Sequence, residues 1–168
     1  MKKLITVIAS ALLLGASVFA EGYLSANDLA LGDITAEKKE EDGFVLNANA
    51  ANAMKVEDKT SEAAVCDGEK IVYRLSTKGS GSLTERSVSF PAKAGETIYI
   101  YAQSSGKSGS RSVHVVNADG VEIAEVAAGS YAETRDVKPL KVKAPANSTY
   151  TIYPTGGMLY IYLIRVAK

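Results

Sequence analysis

Cysteine is nearly missing. Cys66 is the only one in 168 residues, so an intramolecular disulfide is excluded. A lone thiol in an exported chain leaves two readings open: a Cys66-linked dimer, or a small buried side chain with no chemistry. Tryptophan is absent, which removes the broadest stacking surface for neutral sugars. Histidine occurs once, as His114, and without a nearby cysteine partner it cannot build a typical zinc site. No Gly-x-Ser-x-Gly elbow occurs, and Cys66 has no local motif, so a nucleophilic enzyme is not expected. Asp67-Gly68-Glu69 and Asn117-Ala118-Asp119-Gly120 carry too few oxygens for an EF-hand loop and read as turns. No metal or cofactor is expected from these motifs. Calcium held by oxygens gathered between loops stays open.

Net charge is also missing. The chain has 19 basic and 19 acidic residues. No basic stripe appears, so nucleic acid is not an expected partner. The longest apolar run is at the start. Lys2 and Lys3 precede the apolar stretch Leu4 to Val18, and small residues lead to Ala20. This is the pattern of a signal peptide over residues 1–20, cut before Glu21. Nothing later is long and apolar enough to span a bilayer, so no membrane span is expected. The expected location is the periplasm or the extracellular space.

What remains is a chain of strand signals. Residues 21–43 read as a polar leader, partly packed, with one helical turn that Ser25 caps and Gly32 stops. From Phe44 onward short alternating runs follow one another. The clearest is Thr97-Ile98-Tyr99-Ile100-Tyr101-Ala102. Turn residues recur every 8–12 positions, and Asn117-Ala118-Asp119-Gly120 reads as a hairpin turn. The longest strand-rich stretch is the last, Ser148 to Val166. Pro154-Thr155-Gly156-Gly157 interrupts it and reads as the turn of a closing hairpin. Residues 44–168 are thus expected to form one all-β domain, an antiparallel, jelly-roll-like β-sandwich of about nine or ten short strands.

The order of four motifs resembles the small β-sandwich modules attached to secreted bacterial pectate lyases and related polysaccharide-degrading proteins. Asp42-Gly43-Phe44 opens the module. Tyr73-Arg74-Leu75 precedes a Gly/Ser connection and Arg86-Ser87-Val88-Ser89-Phe90. Ser108-Gly109-Ser110-Arg111 leads to Asn117-Ala118-Asp119-Gly120. Thr149-Tyr150-Thr151-Ile152-Tyr153 is followed by Thr155-Gly156-Gly157 and Tyr160-Ile161-Tyr162-Leu163-Ile164. The resemblance covers residues 23–168. It implies a carbohydrate-binding or scaffold role rather than catalysis.

Arg86 and Arg111 each follow a Gly/Ser-rich connection and start a strand. A guanidinium presents a planar fork of donors that matches a carboxylate, including that of a uronic acid sugar. Arg74, Lys78 and Lys107 could extend a basic rim. Tyr99 and Tyr101 share one strand face, as do Tyr160 and Tyr162, and could meet sugar rings. The bland alternatives are ion pairing for the arginines and core packing for the tyrosines. The expected function is non-catalytic binding of a polysaccharide, most naturally an acidic, pectin-like one. A structural or cell-surface protein-interaction domain is the alternative.

Overall fold

The computed structural model describes residues 22–106 and 111–168. The expected signal peptide and Lys107 lie outside the described residues. The described chain is all-β, with sixteen strands and only single 3₁₀ turns between them. Two antiparallel sheets form the sandwich. The first has seven strands. From one edge they are β14 (Leu140–Lys143), β10 (Thr97–Ser104), β16 (Leu159–Ala167), β8 (Tyr73–Ser76), β5 (Met54–Asp58) and β2 (Gly32–Ile34). The seventh, β1 (Gly22–Ser25), lies beside the C-terminal half of β16, where Gly22 pairs with Val166 and Ser25 with Leu163.

The second sheet has six strands. In order these are β12 (Glu122–Ala128), β11 (Arg111–Asn117), β15 (Ser148–Thr155), β9 (Ser87–Ala92), β4 (Val45–Asn47) and β3 (Lys38–Lys39). A third, small sheet of β13 (Asp136–Val137), β6 (Ala64–Cys66) and β7 (Glu69–Ile71) contains a parallel pair, β13 with β6. The strand count exceeds the expected nine or ten because many of these strands are only two to four residues long. The region read as a leader contributes β1, β2 and β3. It also holds two 3₁₀ turns, Glu41–Gly43 and the expected one at Ala26–Asp28, where Ser25 Oγ accepts from the Asn27 amide at 3.2 Å.

The stretch Ser148 to Val166 is not a hairpin. β15 belongs to the second sheet and β16 to the first. The chain between them crosses from one sheet to the other, with Gly156 and Gly157 at φ 72° and 136°. Turn residues reveal that a chain reverses, but not which neighbour it then pairs with. The hairpin expected at Asn117–Gly120 does form: Asn117 N donates to Val121 O at 3.0 Å, and β11 pairs with β12.

Period-2 alternation sorts the strand faces. On β10, Ile98, Ile100 and Ala102 enter the core between the sheets, where the Phe44 and Phe90 rings pack at a tilt with centroids 5.2 Å apart. β16 sends Leu159, Ile161, Ile164 and Val166 into the same core. Its register slips against β10, so that Tyr101 faces Leu163 and Ala102 faces Ile161. The extra residue, Tyr162, makes a β-bulge that keeps Tyr160, Tyr162 and Leu163 on the outer face. There they pack with Tyr101, Ile71, Cys66 and Val137 under the third sheet. β16 is buried on both faces, which accounts for its nearly unbroken apolar run. Each fully buried aliphatic side chain here contributes about 2 kcal/mol by its removal from water.

Candidate functional site

The five arginines divide by partner. Arg74 reaches Glu57 through Nε and Nη2, both at 2.8 Å, and lies over the Tyr160 ring with Cζ 3.4 Å from the centroid. Arg135 meets Glu62 at 3.7 Å and Arg165 meets Asp67 at 3.4 Å. Arg86 and Arg111 have no carboxylate within ion-pair distance among the described residues. Both lie at the end of the sandwich where β15 crosses to β16.

The chain between β8 and β9 folds tightly to place Arg86. Lys78 and Arg86 both adopt the left-handed region, with φ 59° and 51°. Such a backbone is costly for residues with a Cβ and persists only where surrounding contacts impose it. Several contacts hold this strap. Gly81 N donates to Pro154 O at 2.9 Å, Ser82 N donates to Glu85 O at 2.9 Å, and Ser87 Oγ donates to Leu83 O at 3.3 Å. Arg86 Nη1 donates back to Ser80 O at 3.2 Å. Its Nε is buried with no partner among the described residues.

Arg111 starts β11 on the other side of the crossover. Its Nη1 donates to Met158 O at 2.9 Å and to Ser105 Oγ. Ser105 N donates to Met158 O at 3.2 Å, and Thr77 Oγ1 accepts from Leu159 N at 2.9 Å, which ties both flanking loops to the crossover. Nearby polar groups complete the rim. Asn52 and Asn49 both donate side-chain amides to Glu85.

The remaining predicted residues fall elsewhere. Arg74 is 7% exposed and engaged by Glu57 and Tyr160, so it belongs to the packing of the outer face rather than to a basic rim. Lys78 pairs with Asp33 at 3.4 Å. Tyr101, expected to meet sugar rings, is fully buried and donates its hydroxyl to Asp67 Oδ2. Burial first, then that hydrogen bond, pushes its hydroxyl well above the usual tyrosine range. It offers no face to a ligand. Tyr99 is half-buried and stands between its cross-strand partners Lys141 and Arg165, whose cations lie 5.6 and 4.7 Å from its ring centroid. Sequence places Tyr99 and Tyr101 on one face correctly. It carries no signal for the Asp67 turn that covers one of them.

His114 is held at both ring nitrogens, Nδ1 2.6 Å from Glu122 and Nε2 3.2 Å from Glu125, and stacks on Tyr153. Cys66 is fully buried, and burial above all pushes its thiol up to about 12. A thiol so placed is closed to a partner chain while the fold holds. Asn117 Oδ1 accepts from the amides of Asp119 and Val121, closing its own turn. Among the described residues no three His, Cys, Asp or Glu side chains group as metal ligands.

A groove of about 630 Å³ lies at the opposite end of the sandwich, between Gly22 and Val166 on one side and Pro91, Ala92 and Thr149 on the other. None of the sequence-predicted site residues lines it. No described helix is long and apolar enough to cross a membrane.

No protein-family model matches the chain, and no curated protein is a significant match. Several solved structures overlay on it. One is an exo-β-1,3-galactanase from Phanerochaete chrysosporium with galactose, at 14% identity and TM-score 0.46, covering 88% of this chain and 29% of that one. A second is a carbohydrate-binding module from Cellvibrio mixtus lichenase 5A in complex with cellotriose, at 14% identity and TM-score 0.39, covering 87% and 95%. A third is the C-terminal carbohydrate-binding module of a marine laminarinase from Zobellia galactanivorans, at 14% identity and TM-score 0.39, covering 87% and 98%. The chain thus spans under a third of the galactanase and nearly the whole of the two modules. All three scores fall below 0.5, so the fold class rests on the sheets described above.

Proposed function

We propose that this chain is an exported, non-catalytic module that binds an acidic polysaccharide at the crossover end of the sandwich. One observation carries the reading. Arg86 and Arg111 flank the same crossover, and they alone of the five arginines lack a carboxylate partner among the described residues. A guanidinium has five N–H donors. Among the described residues Arg86 makes one hydrogen bond, to a main-chain carbonyl, and Arg111 bonds through Nη1 alone. Arg86 Nε is buried, so its Nη groups are the donors left for an anion, and no described carboxylate neutralises either charge. A planar carboxylate repeated along a sugar chain suits two such forks.

The test is calorimetric titration of polygalacturonate and of a neutral glucan into the native protein. Polygalacturonate should bind and the neutral glucan should not. Arg86→Ala with Arg111→Ala should weaken binding by about tenfold or more, since a hydrogen bond to a charged group is worth about 1.5–3 kcal/mol. Binding should also weaken as salt rises. Indifference to every acidic glycan, or unchanged affinity in the double variant, would overturn the reading.

A further inference from the structure

The two unpaired guanidinium groups share a second feature, which concerns the residues beneath them. A Cβ built on Gly79 would stand 2.8 Å from Arg86 Nη1 and 3.2 Å from its Cζ. A Cβ built on Gly157 would stand 2.7 Å from Arg111 Nε and 3.0 Å from its Cζ. Real Cβ atoms do not approach this closely. Each fork is therefore seated on a bare glycine while its Nη1 holds a main-chain carbonyl, Ser80 O for Arg86 and Met158 O for Arg111. Arg135 and Arg165, which have acidic partners, show no such glycine seat among the described residues.

We infer that Gly79 and Gly157 are positioning residues that fix the two arginine forks for their ligand. The inference rests on the acidic-glycan reading above. A free Arg side chain samples many rotamers, and ordering it on binding costs about 1.5–2 kcal/mol. A fork already stacked on glycine and anchored by one bond loses less of that freedom when a carboxylate arrives. The two glycines differ in what else they do. Gly157 has φ 136°, a backbone that side-chain-bearing residues rarely adopt, so any substitution there also strains the crossover. Gly79 has no positive φ. The three atoms nearest an added methyl there all belong to the far end of the flexible Arg86 side chain. Gly79→Ala therefore displaces one guanidinium and leaves the backbone where it is.

The experiment compares wild type, Gly79→Ala, Arg86→Ala and the pair combined, titrating polygalacturonate and recording thermal midpoints. Gly79→Ala should keep the wild-type midpoint and weaken binding several-fold. In the Arg86→Ala background it should have no further effect, because its only target is gone. A purely structural role would lower the midpoint and add to the loss from Arg86→Ala. Gly79→Ala binding like wild type, while Arg86→Ala weakens binding, would overturn the inference and leave the acidic-glycan reading intact. Arg86→Ala without effect would overturn the reading itself.

Discussion

At the scale of single residues, exposure and pairing separate chemistry from packing. Sequence alone offers Arg86 and Arg111 as forks at strand starts and adds Arg74 to a basic rim around them. Arg74 drops out because Glu57 stands opposite it across β5 and β8, a pairing that depends on strand register. Arg86 and Arg111 stay candidates because no carboxylate among the described residues pairs with them. The glycines beneath them were readable as turn residues, not as seats. Cys66 yields a residue-scale prediction. Its thiol, ordinarily near 9.0, is pushed up to about 12, chiefly by burial. The unfolded chain thus ionises first. The stability that comes from keeping this thiol neutral is whole below pH 9.0 and drains away as pH climbs toward about 12. Urea titrations should show this alkaline loss, and Cys66→Ala should flatten it. Thiol-reactive dye should label Cys66 at pH 8 in urea and scarcely at all in the native state. Rapid native labelling would refute the buried assignment.

At the scale of elements, most strands were legible and their neighbours were not. Alternation identifies β10 and β11 because one face of each is apolar. It misses β3, β6 and β13, which are two or three residues long, too short to show a period, and the pairing of β13 with β6 joins residues far apart in sequence. The crossover after Thr155 was mistaken for a hairpin turn for the same reason. The strap from Thr77 to Arg86 offers a test of how firmly an element can be fixed without regular structure. A Cβ on Gly81 would meet Arg86 O at 2.6 Å and Glu85 O at 2.9 Å, both main-chain atoms that cannot swing aside. Gly81→Ala should cost about 1–3 kcal/mol by overpacking. Chemical denaturation should rank it well below Gly79→Ala in stability. Equal stability of the two variants would mean that the strap yields as a whole.

At the scale of the whole molecule, sheet order sets how the fold is reached. Neighbours in space are seldom neighbours in sequence: β9 lies between β15 and β4, and β16 touches β8, β10 and β1. Folds dominated by such distant pairings form on the millisecond-to-second scale. Stopped-flow refolding should show that slow phase. A microsecond rate would contradict the topology. The same topology bears on delivery. β1 completes its pairing only against Ser25's and Gly22's partners, Leu163 and Val166, at the far end of the chain. A polypeptide threaded across a membrane from its N-terminus cannot close the first sheet until its last strand has followed. In the export proposed above, the opening strand therefore stays unpaired throughout the passage, and the chain remains fit for transport until the moment it no longer needs to be.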